Sequence, residues 1–100
     1  MTQNSAYSIQ TYVQTAGQLL SDMNGEKVMM SIQNGKYYNL GEVGGKIWGL
    51  LDIPRTAEQI ATKLIEQYEV TLSECVDQVD RFLQSLAKEQ LVQVSSRVLD

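Results

Sequence analysis

Few side chains in this sequence are of the types that do chemistry, and fewer are spaced to do it together. Histidine is absent, which removes the commonest general base and the commonest metal ligand. The single cysteine, Cys75, falls on an apolar helical stripe, where a thiol is ordinarily buried and inert. Alone it can form neither an intramolecular disulfide nor a cysteine-rich zinc site. Asp77 and Asp80 could share a helix face, but no third acid or partner ligand joins them, so they read as a solvated surface. Gly41-Glu42-Val43-Gly44-Gly45-Lys46 has the glycines of a phosphate loop without the spacing or the Ser/Thr of a Walker A motif. It reads instead as a glycine-rich helix packed closely on a sheet. Met23, Met29 and Met30 are strand residues rather than a metal box, and no Asp-Ser carrier-protein signature opens a helix. The expectation is a non-enzyme with no catalytic residue, no metal and no cofactor.

The composition narrows the partners. One hundred residues make one domain, and a hydrophobic share of 43% with 20% charged is that of a globular chain rather than a disordered one. A net charge of −4 and a pI near 4.7 disfavour phosphate backbones and anionic lipid surfaces. The opening Met-Thr-Gln-Asn-Ser-Ala-Tyr-Ser has neither the basic nor the apolar region of a signal peptide. No apolar run approaches the roughly 20 residues of a membrane span. The location these features favour is the cytoplasm.

The elements that must position a site follow from the period of the apolar residues. Gln18–Met23, Lys27–Gln33 and Lys36–Leu40 read as strands joined by Asn24-Gly25 and Asn34-Gly35, and Asn-Gly is the strongest short hairpin signal. A two-residue turn at Asn34-Gly35 sets Gln33 against Lys36, Ile32 against Tyr37, Ser31 against Tyr38 and Met30 against Asn39. The backbone groups of Tyr37 and Asn39 then face the free edge. Val43, Ile47, Leu50 and Leu51 mark a first helix over 42–51, anchored by Trp48. Thr56-Ala57-Glu58-Gln59 and Thr71-Leu72-Ser73-Glu74 have the capping-box pattern and open two further helices. The fold class is α+β, winged helix-turn-helix-like, with a three-stranded antiparallel sheet followed by three helices on one face. Residues 16–94 form the domain, 1–15 a partly flexible extension and 95–100 a tail. Leu91–Val94 reads as either a last strand or a frayed end.

What remains is the edge strand Lys36-Tyr37-Tyr38-Asn39-Leu40. An unpaired edge is a hazard that proteins cover unless pairing there is the function. It could take an extended peptide as a further strand, or it could be an ordinary edge protected by its shortness and Lys36. A winged helix reading DNA through the third helix fits poorly, because Glu74, Asp77, Asp80 and Glu89 outweigh Arg81 and Lys88.

Gly35-Lys36-Tyr37-Tyr38-Asn39-Leu40-Gly41-Glu42-Val43-Gly44 and then Ile47-Trp48-Gly49-Leu50-Leu51 resemble the PqqD-like family. The likeness continues through Pro54-Arg55-Thr56, Tyr68-Glu69-Val70, Phe82-Leu83 and Leu91-Val92, and is nearest to the standalone B1 proteins of lasso peptide biosynthesis. The resemblance implies a RiPP recognition element. Such a domain binds the leader of a ribosomal precursor peptide as an added strand, in the groove between its third strand and third helix. It then presents the precursor to a B2-type leader peptidase and a macrolactam synthetase. The Gly44-Gly45 pair departs mildly from the family pattern. On this reading the peptide-binding residues are Lys36, Tyr37, Tyr38, Asn39 and Leu40, with Val76, Asp80 and Leu83 as the flank of the third helix that walls the groove. On a helical wheel with Cys75 at zero, Val76 and Leu83 fall near ~100° and ~80° and Asp80 near ~140°. The opposite flank, near Ser85, is less apolar. The wheel leaves open which flank meets the strand. The rivals are an interaction subunit that reads no leader and a winged-helix regulator.

Overall fold

The computed structural model describes residues 8–98; the expectations for 1–7 and 99–100 lie outside the described residues. In chain order the elements are β1 (Ser8–Gln14), β2 (Gln18–Met23), β3 (Glu26–Ser31), β4 (Tyr37–Leu40), α1 (Gly41–Gly49), a 3₁₀ turn (Leu50–Asp52), α2 (Ala57–Leu64), α3 (Leu72–Lys88) and β5 (Val92–Val98). Strands β2, β3 and β4 form the expected antiparallel sheet in that order, with the three helices following it. Met29, Trp48, Leu51, Ile60, Val79 and Leu83 meet in the core between sheet and helices. Among the described residues no helix is long and apolar enough to cross a membrane.

The two Asn-Gly pairs turn the chain differently. Asn24 and Gly25 both have positive φ, 57° and 83°, and Met23 faces Glu26, so the first is the expected two-residue hairpin. At the second pair only Gly35 has positive φ, 72°. The register there is Met30 against Tyr37, Met29 against Tyr38 and Val28 against Asn39, two residues away from the expected one. Polar groups decide it. Gly35 N–H bonds the Ser31 carbonyl at 2.8 Å and Lys36 N–H bonds Asn34 Oδ1 at 2.9 Å. The hydroxyl of buried Ser31 accepts from Asn34 N–H at 3.3 Å. Ile32, expected in the strand, gives its N–H to Gly17 at 3.0 Å and starts the longer loop.

The helix starts follow their signals. Thr56 and Gln59 make a reciprocal capping box, and Thr71 accepts from Glu74 N–H at 3.2 Å, which satisfies donors the first turn leaves free. Helix α2 ends at Leu64, and Tyr68 reaches the core through a turn bonded back to the Leu64 carbonyl at 3.1 Å. Gly44 and Gly45, the departure from the family pattern, are where α1 lies closest to its neighbours. A Cβ at Gly44 would stand 3.1 Å from Phe82 Cζ and 3.3 Å from Leu40 Cβ, and one at Gly45 would collide with Lys27.

The segments on either side of the expected domain are also structured. β1 and β5 pair antiparallel from Ser8 with Val98 to Gln14 with Val92. Tyr12 is only 2% exposed and exchanges backbone hydrogen bonds of 2.8 and 3.0 Å with Arg55. Gln14 Nε2 donates to the Trp48 carbonyl at 2.7 Å. This strand shows no apolar alternation because Tyr12 and the amide-bonded Gln14 hold its inner face.

Candidate peptide-binding groove

The site begins with the pleat of β4. Ser31 N–H donates to the Lys36 carbonyl at 2.9 Å, so pairs facing each other alternate from there and Tyr38 bonds Met29. The N–H and C=O of Tyr37 and Asn39 therefore turn to the outer side of β4, where the sheet has no further strand among the described residues. The expected register was two residues off, yet the outward residues are the expected ones, because two is the period of a strand. The Tyr37 ring is 73% exposed on the outer face. Asn39 ties the strand into α1: its Oδ1 accepts from Gly41 N–H at 2.9 Å and its Nδ2 donates to Glu26 at 3.1 Å. Tyr38 and Leu40 are half-buried and point towards the helices.

Beside this edge lies one flank of α3, carrying Gln78 and Phe82 and ending at the C-cap residue Glu89. At the Lys36 end, Glu89 Oε1 accepts from the Tyr38 hydroxyl at 2.8 Å and meets Lys36 Nζ at 3.5 Å, while Asn34 Nδ2 donates to the Tyr38 hydroxyl at 2.9 Å. The Tyr38 bond, then the Lys36 charge, holds the Glu89 carboxyl below the usual carboxylate range. Partial desolvation first, and then that bond, pushes the Tyr38 hydroxyl up. At the Leu40 end the groove opens into an apolar cavity of about 380 Å³ lined by Leu40, Val43, Tyr68, Gln78, Val79 and Phe82, among others. Lys46 sits 5.0 Å from the centre of the Tyr68 ring and 3.7 Å from Glu42. Cys75 reaches the same cavity from below; burial pushes its thiol up, which suits packing and not attack.

Of the expected residues, Leu40 lines that cavity and Lys36, Tyr37, Tyr38 and Asn39 precede it along the chain, whereas Val76, Asp80 and Leu83 lie elsewhere. Leu83 is wholly buried in the core. Asp80 opens onto a different cleft, with Ile9, Tyr12, Thr56 and Gln59; its charge is near enough to raise the Tyr12 hydroxyl, second to burial. Val76 packs against the core on the same flank. This flank meets α2 and β1, so the wall beside β4 is the opposite one. The apolar width of Val76 and Leu83 reflects two elements packing there, including a strand the sequence did not announce. On the flank beside β4 the Phe82 ring fits against Gly44, where a Cβ would stand 3.1 Å from Cζ. Among the described residues no cluster of three potential metal ligands exists.

Comparison with known proteins places this geometry. The family described as coenzyme PQQ synthesis protein D matches residues 26–92, about two thirds of the chain. No curated protein matches the sequence. Among solved structures, TbiB1 in complex with the TbiA(beta) leader peptide superposes with a TM-score of 0.73 at 26% identity, over 81% of this chain and 94% of that one. A lasso peptide synthetase B1 complexed with its leader peptide gives 0.72 at 16% identity, over 82% and 96%. The PqqD part of Methylobacterium extorquens PqqCD, a stand-alone RiPP recognition element, gives 0.70 at 17%, over 93% and 95%. The fold is thus shared with domains solved with leader peptides in place, and on the strength of the match over residues 26–92 this chain belongs to the PqqD family.

Proposed function

We propose that this protein is a non-catalytic adaptor that binds the leader of a ribosomally made precursor, of the lasso peptide class, as an added strand on β4. It then delivers the precursor to a leader peptidase and a macrolactam synthetase. The observation that carries this reading is the pairing of an open polar edge with an apolar cavity. Tyr37 and Asn39 offer backbone donors and acceptors to an extended chain, which supply affinity whatever its sequence. The cavity at Leu40 takes one side chain, which supplies selectivity. The similarity to TbiB1 supports the substrate class.

Peptide-binding roles are proposed for Lys36, Tyr37, Tyr38, Asn39 and Leu40, joined by Phe82, Gln78 and Glu89 on α3. Val76, Asp80 and Leu83 are left out because of where they lie. The test uses the fluorescein-labelled leader of any lasso-type precursor encoded in the same genome. Saturable one-to-one binding, with slowed exchange of the Tyr37 and Asn39 amides, is expected. A peptidase assay with and without this protein then tests delivery. Absence of saturable binding, or protection confined to the Asp80 cleft, would overturn the reading.

A further inference from the structure

At the Lys36 end of the groove the chemistry changes from apolar to acceptor. Glu89 bridges two elements through a single oxygen: Oε1 takes the Tyr38 hydroxyl at 2.8 Å and Lys36 Nζ at 3.5 Å. Among the described residues, no hydrogen bond is formed by Oε2. The carboxyl sits on the flank of α3 that also carries Phe82 and Gln78, beneath the line an added strand would follow.

Strand geometry fixes which side chains of an added strand reach that floor. Directly opposed residues on neighbouring strands share a face. The leader residues opposite Tyr38 and Leu40 therefore both project towards α3, and they are two apart in the leader whichever way it runs. The residue opposite Leu40 enters the apolar cavity. In an antiparallel leader the residue opposite Tyr38 belongs to a non-hydrogen-bonded pair, because the Tyr38 backbone groups turn towards β3, and in such pairs the side chains stand closest. The acceptor at the tip of the Tyr38 side chain is the Glu89 carboxylate, whose Oε2 is the oxygen without a partner among the described residues. Lys36 Nζ already stands 3.5 Å from this carboxylate, so a second cation there would be brought up against the Lys36 charge. An uncharged O–H or N–H donor adds a bond without that repulsion.

We infer that Glu89 selects an uncharged hydrogen-bond donor in the leader (Ser, Thr, Tyr, Asn or Gln), two residues from the side chain that fills the apolar cavity. This rests on the leader-adaptor reading. It adds a polar requirement, read by a residue outside the edge strand.

The probe is a display library of randomised ten-residue peptides, selected separately on the wild-type protein, Glu89→Gln and Glu89→Ala. Thermal melts verify that each variant is folded, and Gln retains an acceptor for Tyr38. Wild type is expected to enrich an uncharged donor two positions from an enriched apolar residue. Glu89→Ala should lose that preference. Glu89→Gln should weaken it or turn it towards acceptors, since its amide can now donate. In anisotropy titrations, replacing the selected donor by its apolar isostere (Thr by Val, Tyr by Phe) should weaken wild-type binding about fivefold and leave Glu89→Ala binding unchanged. The same donor preference in all three proteins, or Lys and Arg enriched at that position, would overturn the inference while leaving peptide binding intact. Enrichment of nothing by any of them would overturn both the inference and the reading beneath it.

Discussion

Proline at position 37 is the sharpest test of strand addition. The Tyr37 N–H faces the open side of β4, and its ring makes no hydrogen bond in the described structure, so proline removes one outward donor and little else. The internal ladder keeps the Tyr38 bonds to Met29, and proline is tolerated at sheet edges. The stability cost should be under about 1 kcal/mol. Leader binding loses more. The incoming carbonyl keeps its desolvation without its partner, about 1–3 kcal/mol, which is a rise in Kd of about 5- to 150-fold. Tyr38→Pro is the contrast. Its donor points inward to β3, and breaking that bond beside buried Met29 costs about 2–4 kcal/mol. For a domain of this size that lowers Tm by about 8–30 °C. Asn39→Pro is a poorer probe, because it also removes the Gly41 and Glu26 contacts. Melts paired with anisotropy titrations check all three, and Tyr37→Ala separates loss of the ring from loss of the donor. A folded Tyr37→Pro that binds leader at full strength would refute pairing at this edge.

Gly44→Ala places a methyl 3.1 Å from Phe82 Cζ and 3.3 Å from Leu40 Cβ. The helix-propensity gain of up to about 1 kcal/mol is offset by crowding of about 1–3 kcal/mol, so a lower Tm and weaker leader binding together are expected. Asp80→Asn should leave leader affinity and its salt dependence unchanged, as a titration at two ionic strengths would show, because Asp80 opens onto the β1–α2 cleft. Glu89 has a lowered pKa, caused first by Tyr38. What its contacts add to folding is therefore present at neutral pH and fades as pH falls through that lowered value. A carboxyl-carbon NMR titration should place its midpoint below that of a free glutamate, and Tyr38→Phe should move it back up. Cys75 is buried with its thiol pKa raised, so a thiol reagent should label it slowly at neutral pH and quickly once denaturant unfolds the chain.

Most of the local elements were legible in the residue order, β1 and the loop after Ser31 excepted. Asn24-Gly25 specified its turn because both residues adopt positive φ cheaply. Thr56 and Thr71 specified helix starts because a hydroxyl beside free N–H groups stabilises only that geometry. The 3.6-residue stripe from Leu72 to Leu86 specified the core face of α3. The outward residues of β4 were legible as well, since strand parity survives a slip of two. The exact register was not, because a two-residue slip keeps Met29, Ser31, Tyr38 and Leu40 on the core face; it was decided by Ser31 and Asn34 bonding within the loop. Nor could the sequence say which flank of α3 lies beside β4. Periodicity shows that a side is apolar but not which element covers it, and here β1, paired with a strand almost eighty residues away, covers the more apolar one. The groove, with Phe82 against Gly44 and Glu89 against Tyr38, exists only once α1, α3 and the sheet are packed together, because each of its contacts joins residues that no local pattern links.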